Sequence, residues 1–306
     1  MTTLLCIALL AAPPTPTPTP TPAQPPFVVS EIAPGVFAAI SDPDGDSGNA
    51  GFVVGSDAVL VVDTLATPEA ARRLLSEVRA RTPLPIRFAV LTHLHRDHMG
   101  GAAAFAEAGA AVVAHENVRA WARREFQEDL TPEQRARYAA LRLPDVTYRD
   151  RVSLWLGDRR VEVLHRPGHS GSDSIVRVPD AKVVFTGDLF SRRCLPGTAF
   201  ARTDAWVETL DALIKDYPDA TFVPGHGGVG HALDVRGFRD YLNGLRMAVA
   251  RALHDGKSGA TLAEAVRAQL AVRYKSWAGF EQVDANIADV ERELTGTKAY
   301  PPAPAP

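Results

Sequence analysis

Three imidazoles and a carboxylate fall within six positions at His93-Leu94-His95-Arg96-Asp97-His98, directly after the apolar run Phe88 to Leu91. Crowded imidazoles repel one another once protonated, so such a cluster is best explained by a cation that organises it. The i, i+2 spacing of His93 and His95 on a tight turn lets both face one ion, while Asp97 and His98 project from the next turn and can hold a second. Arg96 is polar and points outward. Three further donors each follow an apolar run and a glycine: His169 after Val161 to Leu164, Asp188 after Val183 to Phe185, and His226 after Thr221 to Val223. Imidazole and carboxylate without thiolate favour zinc, iron or manganese. A carboxylate such as Asp188 can give one oxygen to each of two ions, and two cations roughly 3.5 to 4 Å apart activate a bridging hydroxide and clamp the reacting oxygen.

The elements must bring these donors together. Apolar runs that end in a donor read as strands, and strand ends converge on one edge of a sheet, where α/β proteins place their sites. Asp63, closing the run Val59 to Val62, falls at that edge. Val28 to Ile40 and Ala50 to Val62 read as two strands, joined by the loop Ser41 to Gly48 whose tip reaches over the site. Thr67-Pro68-Glu69 starts a helix with a capping residue and a first-turn proline, and buries Ala71, Leu74, Leu75 and Val78. Gly100-Gly101 opens the helix Ala102 to Ala108, and Gly168, Gly187, Gly225 and Gly227 allow sharp turns beside the donors.

Around this framework the chemistry is less specific. His115 ends the run Ala111 to Ala114 and can support the site from behind; His165 packs at a strand end, and His231 and His254 face solvent. Between His115 and Val152 lies a polar helical insert with Trp121, Arg123, Arg124, the capping pattern Thr131-Pro132-Glu133-Gln134 and Tyr138, either a lid or a solvated face. Arg192, Arg193 and Arg202 either bind an anionic substrate group or are ordinary surface charges. From Val235 to Leu294 the pattern is helical: Phe238, Leu242, Leu245 and Val249 keep a helical period, and Thr261-Leu262-Ala263-Glu264 reads as a capping box opening a second helix. Trp277 and Phe280 anchor this pair.

The 306 residues, 46% hydrophobic and 23% charged, suit one large domain, and a formal charge of -3 without a Lys/Arg-dense run leaves no footprint for nucleic acid. Leu4 to Ala12 is apolar but too short to span a bilayer, and the Pro-Thr alternation from Pro13 to Pro22 reads as an extended linker, so residues 1–26 are expected to be a signal peptide and linker of a periplasmic or secreted protein, the alternative being a misplaced start or a plain disordered tail on a cytoplasmic one. The segment lacks the usual positive charge, and Pro13 blocks cleavage after Ala12. The expected organisation is a catalytic domain over 27–234, helices packed on it over 235–297 and a Pro/Ala tail over 298–306. Cys6 lies in the leader, which leaves Cys194 alone and reads as a packed thiol or, less simply, a group at the site mouth.

From about Phe27 to His231 the order strand-Asp63, His-x-His-x-Asp-His, Gly-His169, Gly-Asp188 and Gly-His226 resembles the metallo-β-lactamase fold hydrolase superfamily. The resemblance implies a four-layer αββα sandwich of the α/β class, with C-terminal helices. It implies that His93, His95 and His169 bind one zinc, that Asp97, His98 and His226 bind another, that Asp188 bridges them and that Asp63 braces the cluster loop. Zinc β-lactamases usually have Cys or Ser where this chain has Asp188, which argues against lactam hydrolysis as the main role. The segments Phe185 to Phe190 and Val223 to Gly227 are more similar to exported zinc hydrolases associated with quinoprotein relays and sulfur oxidation, and to glyoxalase II. The implied activity is hydrolysis of an ester, thioester, lactone or lactam-type bond in a small molecule, with a metal-bridging hydroxide as nucleophile and Asp97 orienting it. An iron-dependent oxidoreductase such as a persulfide dioxygenase is the alternative on the same fold, and a non-catalytic metal or partner binder a weaker one. No Gly-x-Ser-x-Gly elbow or phosphate-cradling Gly-Lys loop offers a competing centre.

Overall fold

The computed structural model describes residues 27–42, 45, 47–125 and 141–300. The expected leader over 1–26, the pattern Thr131 to Gln134, Tyr138, the side chains of Arg123 and Arg124, and the tail from Pro301 lie outside the described residues. Seven strands, β1 Phe27–Ala33, β2 Val36–Ser41, β3 Ala50–Val54, β4 Val59–Val62, β5 Ile86–Val90, β6 Ala111–His115 and β7 Val146–Tyr148, form one sheet in chain order. A second sheet runs β12 Thr221–His226, β11 Val183–Ser191, β10 Ser174–Val178, β9 Arg159–His165, β8 Arg151–Leu156. The helices are α1 Pro68–Arg79, α2 Arg96–Met99, α3 Ala102–Glu107, α4 Glu116–Glu125, α5 Thr203–Asp216, α6 Ala232–His254, α7 Gly259–Tyr274 and α8 Val283–Leu294.

Strand alternation sorts the side chains into layers. Leu60, Val62, Val90 and Val113 of the first sheet meet Val163, Val176, Val183, Phe185 and Val223 of the second, all buried between the sheets. Their neighbours Val59, Val61 and Ala89 point the other way and pack under Leu74, Val78 and Phe105 of α1 and α3. On the far face Ile175, Val184 and Phe222 are covered by Trp206, Leu210 and Leu213 of α5 and by Phe238, Leu242 and Leu245 of α6. The result is the expected αββα sandwich. α6, α7 and α8 share this last core with β11, and Trp277 and Phe280 pack against it from partly buried positions.

Three local expectations are corrected. Val28 to Ile40 is a hairpin rather than one strand, because Gly35 at φ +72° allows the turn at Pro34-Gly35; Ala50 to Val62 is likewise two antiparallel strands. The strand around Asp188 does not stop there but runs on to Ser191, its register with β12 breaking on either side of Gly187. The Thr261 pattern does not open a helix: α7 begins earlier, after Ser258, and the Thr261 hydroxyl donates to the Ser258 carbonyl instead of capping an amide. Three C-terminal helices stand where two were expected. The cap of α1 is as expected, the Thr67 hydroxyl accepting from the Ala70 amide behind Pro68.

Candidate metal centre

His93 follows the end of β5 by three residues, His95 is the residue before α2, and Asp97 and His98 lie in that single turn. His169 follows β9 across the Pro167-Gly168 turn, Asp188 lies inside β11 and His226 ends β12. The structure brings all seven together in two groups of donor atoms: His93, His95, His169 and Asp188 in one, Asp97, His98, Asp188 and His226 in the other. In the first, His95 Nδ1 lies 3.1 Å from His93 Nε2 and 2.8 Å from His169 Nε2. In the second, Asp97 Oδ2 lies 3.3 Å from His98 Nε2 and 3.1 Å from His226 Nε2. Asp188 joins them. Its Oδ2 is 3.7 Å from His93 Nε2 and 3.4 Å from His169 Nε2, and its Oδ1 is 3.0 Å from His98 Nε2 and 3.5 Å from His226 Nε2.

The surroundings fit cations. His98 Nε2 and Asp188 Oδ1 are wholly buried and neither makes an aligned hydrogen bond, a costly state that a divalent ion beside them would relieve. Burial, reinforced for His93 by neighbouring His98, holds His93 and His95 below the ordinary histidine value and pushes His169 down to about 3, so these rings are neutral donors. At His98 and His226 burial acts in the same direction, but the facing carboxylates outweigh it: Asp97, Asp188 and Asp63 hold His98 well above the usual value, and Asp188 and Asp97 raise His226 to about 10. Burial would raise Asp97 and Asp188, yet the imidazoles keep both well below the usual carboxylate range. Carboxylates that draw protons this strongly onto their neighbours attract a divalent cation for the same reason.

A brace sits beneath the donors. Asp63 Oδ1 accepts from the Thr92 amide at 2.8 Å, and Oδ2 accepts from the Thr92 hydroxyl at 2.8 Å and faces His98 Nδ1 at 2.9 Å. Thr92 Oγ1 in turn lies 3.0 Å from His93 Nδ1, so one carboxylate orients rings in both groups. Asn49, which sequence reasoning passed over, ties the Ser41 to Gly48 loop to the opposite sheet: its Nδ2 donates to the carbonyls of Pro224 and Gly227, and its amide donates to Gly225. Asp173 was missed as well. It is buried, its proton held to about pH 8 chiefly by burial, and it accepts from the Ser170 amide and hydroxyl to fix the turn that carries His169. The signal for both was slight: Asp173 is a small polar residue just after His169, and Asn49 one at the end of a Ser/Gly loop.

Other candidates stay apart from the donors. His115 stacks on His165 with ring centres 3.8 Å apart, and His165 Nδ1 bonds the Asp173 carbonyl, which links the pair to the His169 turn rather than to a ligand position. His231 is exposed and caps α6 together with Asp234, and His254 is exposed. Arg192 is paired with Asp234 at 2.9 Å, Arg202 lies over the Tyr300 ring, and Arg193 is exposed; none enters the two groups. Cys194 is buried, its thiol 3.5 Å from the Arg192 carbonyl. Trp121, expected on a polar insert, is buried with Leu91, Leu94 and Val118.

Known proteins share this fold. The family model of the metallo-beta-lactamase superfamily matches residues 43–226, and the chain belongs to that superfamily. Human acyl-coenzyme A thioesterase MBLAC2 is 30% identical over 197 residues, 56% of this chain and 68% of its own. The hydroxyacylglutathione hydrolase GloC of Haemophilus influenzae is 29% identical over 170 residues, 51% of this chain and 76% of its own. A metallo-beta-lactamase from Pontibacter korlensis superposes with a TM-score of 0.61 at 24% identity, over 71% of this chain and 99% of its own, which bears on the fold alone. Fold, donors and relatives together define a metallo-hydrolase.

Proposed function

We propose that this chain is a dinuclear zinc-dependent hydrolase whose substrates are thioesters or closely related esters. The observation that carries it is Asp188, with one carboxylate oxygen facing each group of donors. His93, His95 and His169 would hold one zinc, Asp97, His98 and His226 the other, and Asp188 both. Bound there, zinc ions supply Lewis acidity that activates water and polarises a carbonyl oxygen. His93, His98, His169 and Asp188 are buried, whereas His95, Asp97 and His226 are partly exposed, Asp97 and His226 with side chains 26% and 25% open, so a substrate would reach the donors from their side. The Asp97 carboxylate is ionised at neutral pH, so Oδ2 can accept a hydrogen bond from the attacking water and aim its lone pair at the carbonyl. A thioester suits such a site, because a thiolate with a pKa of roughly 8.5 departs without a dedicated acid. The names of the human and Haemophilus relatives, a thioesterase and a hydroxyacylglutathione hydrolase, support the same bond class.

The test is a hydrolysis screen over acyl-coenzyme A, S-acylglutathione, lactone, lactam and phosphodiester probes, with a chelated control and zinc restored afterwards. Thioester turnover that chelation removes and zinc returns is expected, and Asp97→Ala should lower it by about 10²-fold or more. Full turnover in Asp97→Ala, or none on any thioester with zinc loaded, contradicts the proposal.

A further inference from the structure

The segment between β11 and α5 passes beside the first donor group. There the ring of Phe200 is centred 5.8 Å from that of His95 and tilted 46° to it. Among the described residues one other non-histidine ring touches a donor imidazole, Trp206 against His169, and it is wholly buried. Phe200 is only half-buried, so it meets both the donors and the solvent.

This loop is tied down on both sides of Phe200. The Thr198 hydroxyl bonds Asp289 Oδ2 at 2.7 Å and Asn286 Oδ1 at 3.1 Å, and Asn286 Nδ2 donates to the Pro196 carbonyl. Lys298 Nζ donates to the carbonyls of Thr198 and Ala201 at 2.7 and 2.6 Å, and the Thr203 amide and hydroxyl donate to Glu293. Thr198, Asn286, Asp289 and Thr203 are all buried. A buried polar network is costly unless every member is satisfied, and once satisfied it imposes a single conformation on what would otherwise be a mobile loop. The second donor group is walled differently. There Gly48 approaches so closely that a Cβ would lie 2.2 Å from His98 Nε2, and Asn49 follows it; that wall is backbone and amide.

We propose that Phe200, held by α8 and Lys298, is the apolar wall of an acyl-chain subsite beside the first donor group, and that it makes the enzyme prefer medium-chain over acetyl thioesters. This rests on the thioester reading above. A thioester carbonyl seated between the two groups carries one apolar arm, the acyl chain, and one polar arm, the thiol carrier. The acyl arm, apolar along its whole length, gains more by lying on the ring than the carrier, whose amides would lose water there.

The experiment compares octanoyl- and acetyl-coenzyme A turnover, and calorimetric binding of octanoate and acetate, in the zinc-loaded wild type, Phe200→Ala, Phe200→Leu and Lys298→Met. Phe200→Ala should cut the octanoyl-over-acetyl ratio of kcat/KM about tenfold and weaken octanoate relative to acetate about as much. Phe200→Leu keeps most of the preference, and Lys298→Met, which frees the loop, lowers it in the same direction. If octanoyl-coenzyme A is hydrolysed but its ratio in Phe200→Ala stays within about twofold of wild type, the subsite is overturned and the thioester reading stands. If no thioester is hydrolysed, that reading falls, and the octanoate binding ratio decides the wall by itself: unchanged in Phe200→Ala, it overturns the subsite too.

Discussion

Asp63 holds its carboxylate under the donors from a backbone at φ 56°, a left-handed conformation that a residue with a side chain adopts at a cost of about 1 to 3 kcal/mol. Only surroundings that over-determine it sustain such a residue, and here they are the Thr92 amide, the Thr92 hydroxyl and His98 Nδ1. Asp63→Asn keeps the shape and loses the charge that orients both rings. Zinc affinity, measured by competition with a chromophoric chelator, should fall about 10- to 100-fold, and undiminished affinity would count against the brace. His115 makes a second prediction at this scale. Burial, with the stacked His165, lowers its pKa from 6.5 to about 4 in the folded chain. The unfolded chain therefore binds the extra proton first as the pH drops, so the stability of the neutral stack is complete above 6.5 and is lost as pH falls toward 4. The thermal midpoint of wild type minus that of His115→Gln should shrink over this window; a difference that grows on acidification would contradict it.

Strands set the donors, and their approach to one another leaves no room. A Cβ on Gly225 of β12 would lie 1.9 Å from Asp188 Oδ1 and 2.7 Å from the Gly187 carbonyl carbon of β11. Gly225→Ala must push the two strands apart at the bridging carboxylate, and displacement on that scale should cost about 10²-fold in kcat, with zinc content falling alongside; a fully active variant would mean that Asp188 is not held by this contact. Most of the donor geometry was legible in the sequence because short continuous apolar runs, each leading into His or Asp, report buried strands and where they end. The hairpins inside Val28 to Ile40 and Ala50 to Val62 were not, since a two- to four-residue turn hardly interrupts an apolar run. Nor was the continuation of β11 past Asp188, where Gly187 at φ +50° turns the chain without ending the strand. Phe200 and Asn49 escaped for a different reason: their partners lie far away in sequence, as the 178 positions between Asn49 and Gly227 illustrate, and no local pattern encodes such a contact; Asp173 bonds locally to Ser170, but a small polar residue in a Ser/Gly-rich turn carries no distinctive signal.

At the scale of the whole molecule, two sheets meet over an interior of valine, leucine and phenylalanine, and the donors gather at one edge where strands from both sheets end. The C-terminal helices belong to the same body, covering β11 and β12 through Phe238, Tyr241 and Leu242 and reaching back to the site loop through Asn286 and Asp289, with Lys298 just beyond them. Asp188 ties this architecture to the chemistry, because it is the one residue common to both donor groups. The most direct test is the metal content of protein purified without chelator, measured by mass spectrometry beside thioester hydrolysis, in wild type and Asp188→Ala. Two zinc ions per chain in wild type, with one or none and no turnover in Asp188→Ala, is the predicted result. A single ion per chain in fully active wild type, or two ions retained by Asp188→Ala, would contradict a centre bridged by Asp188.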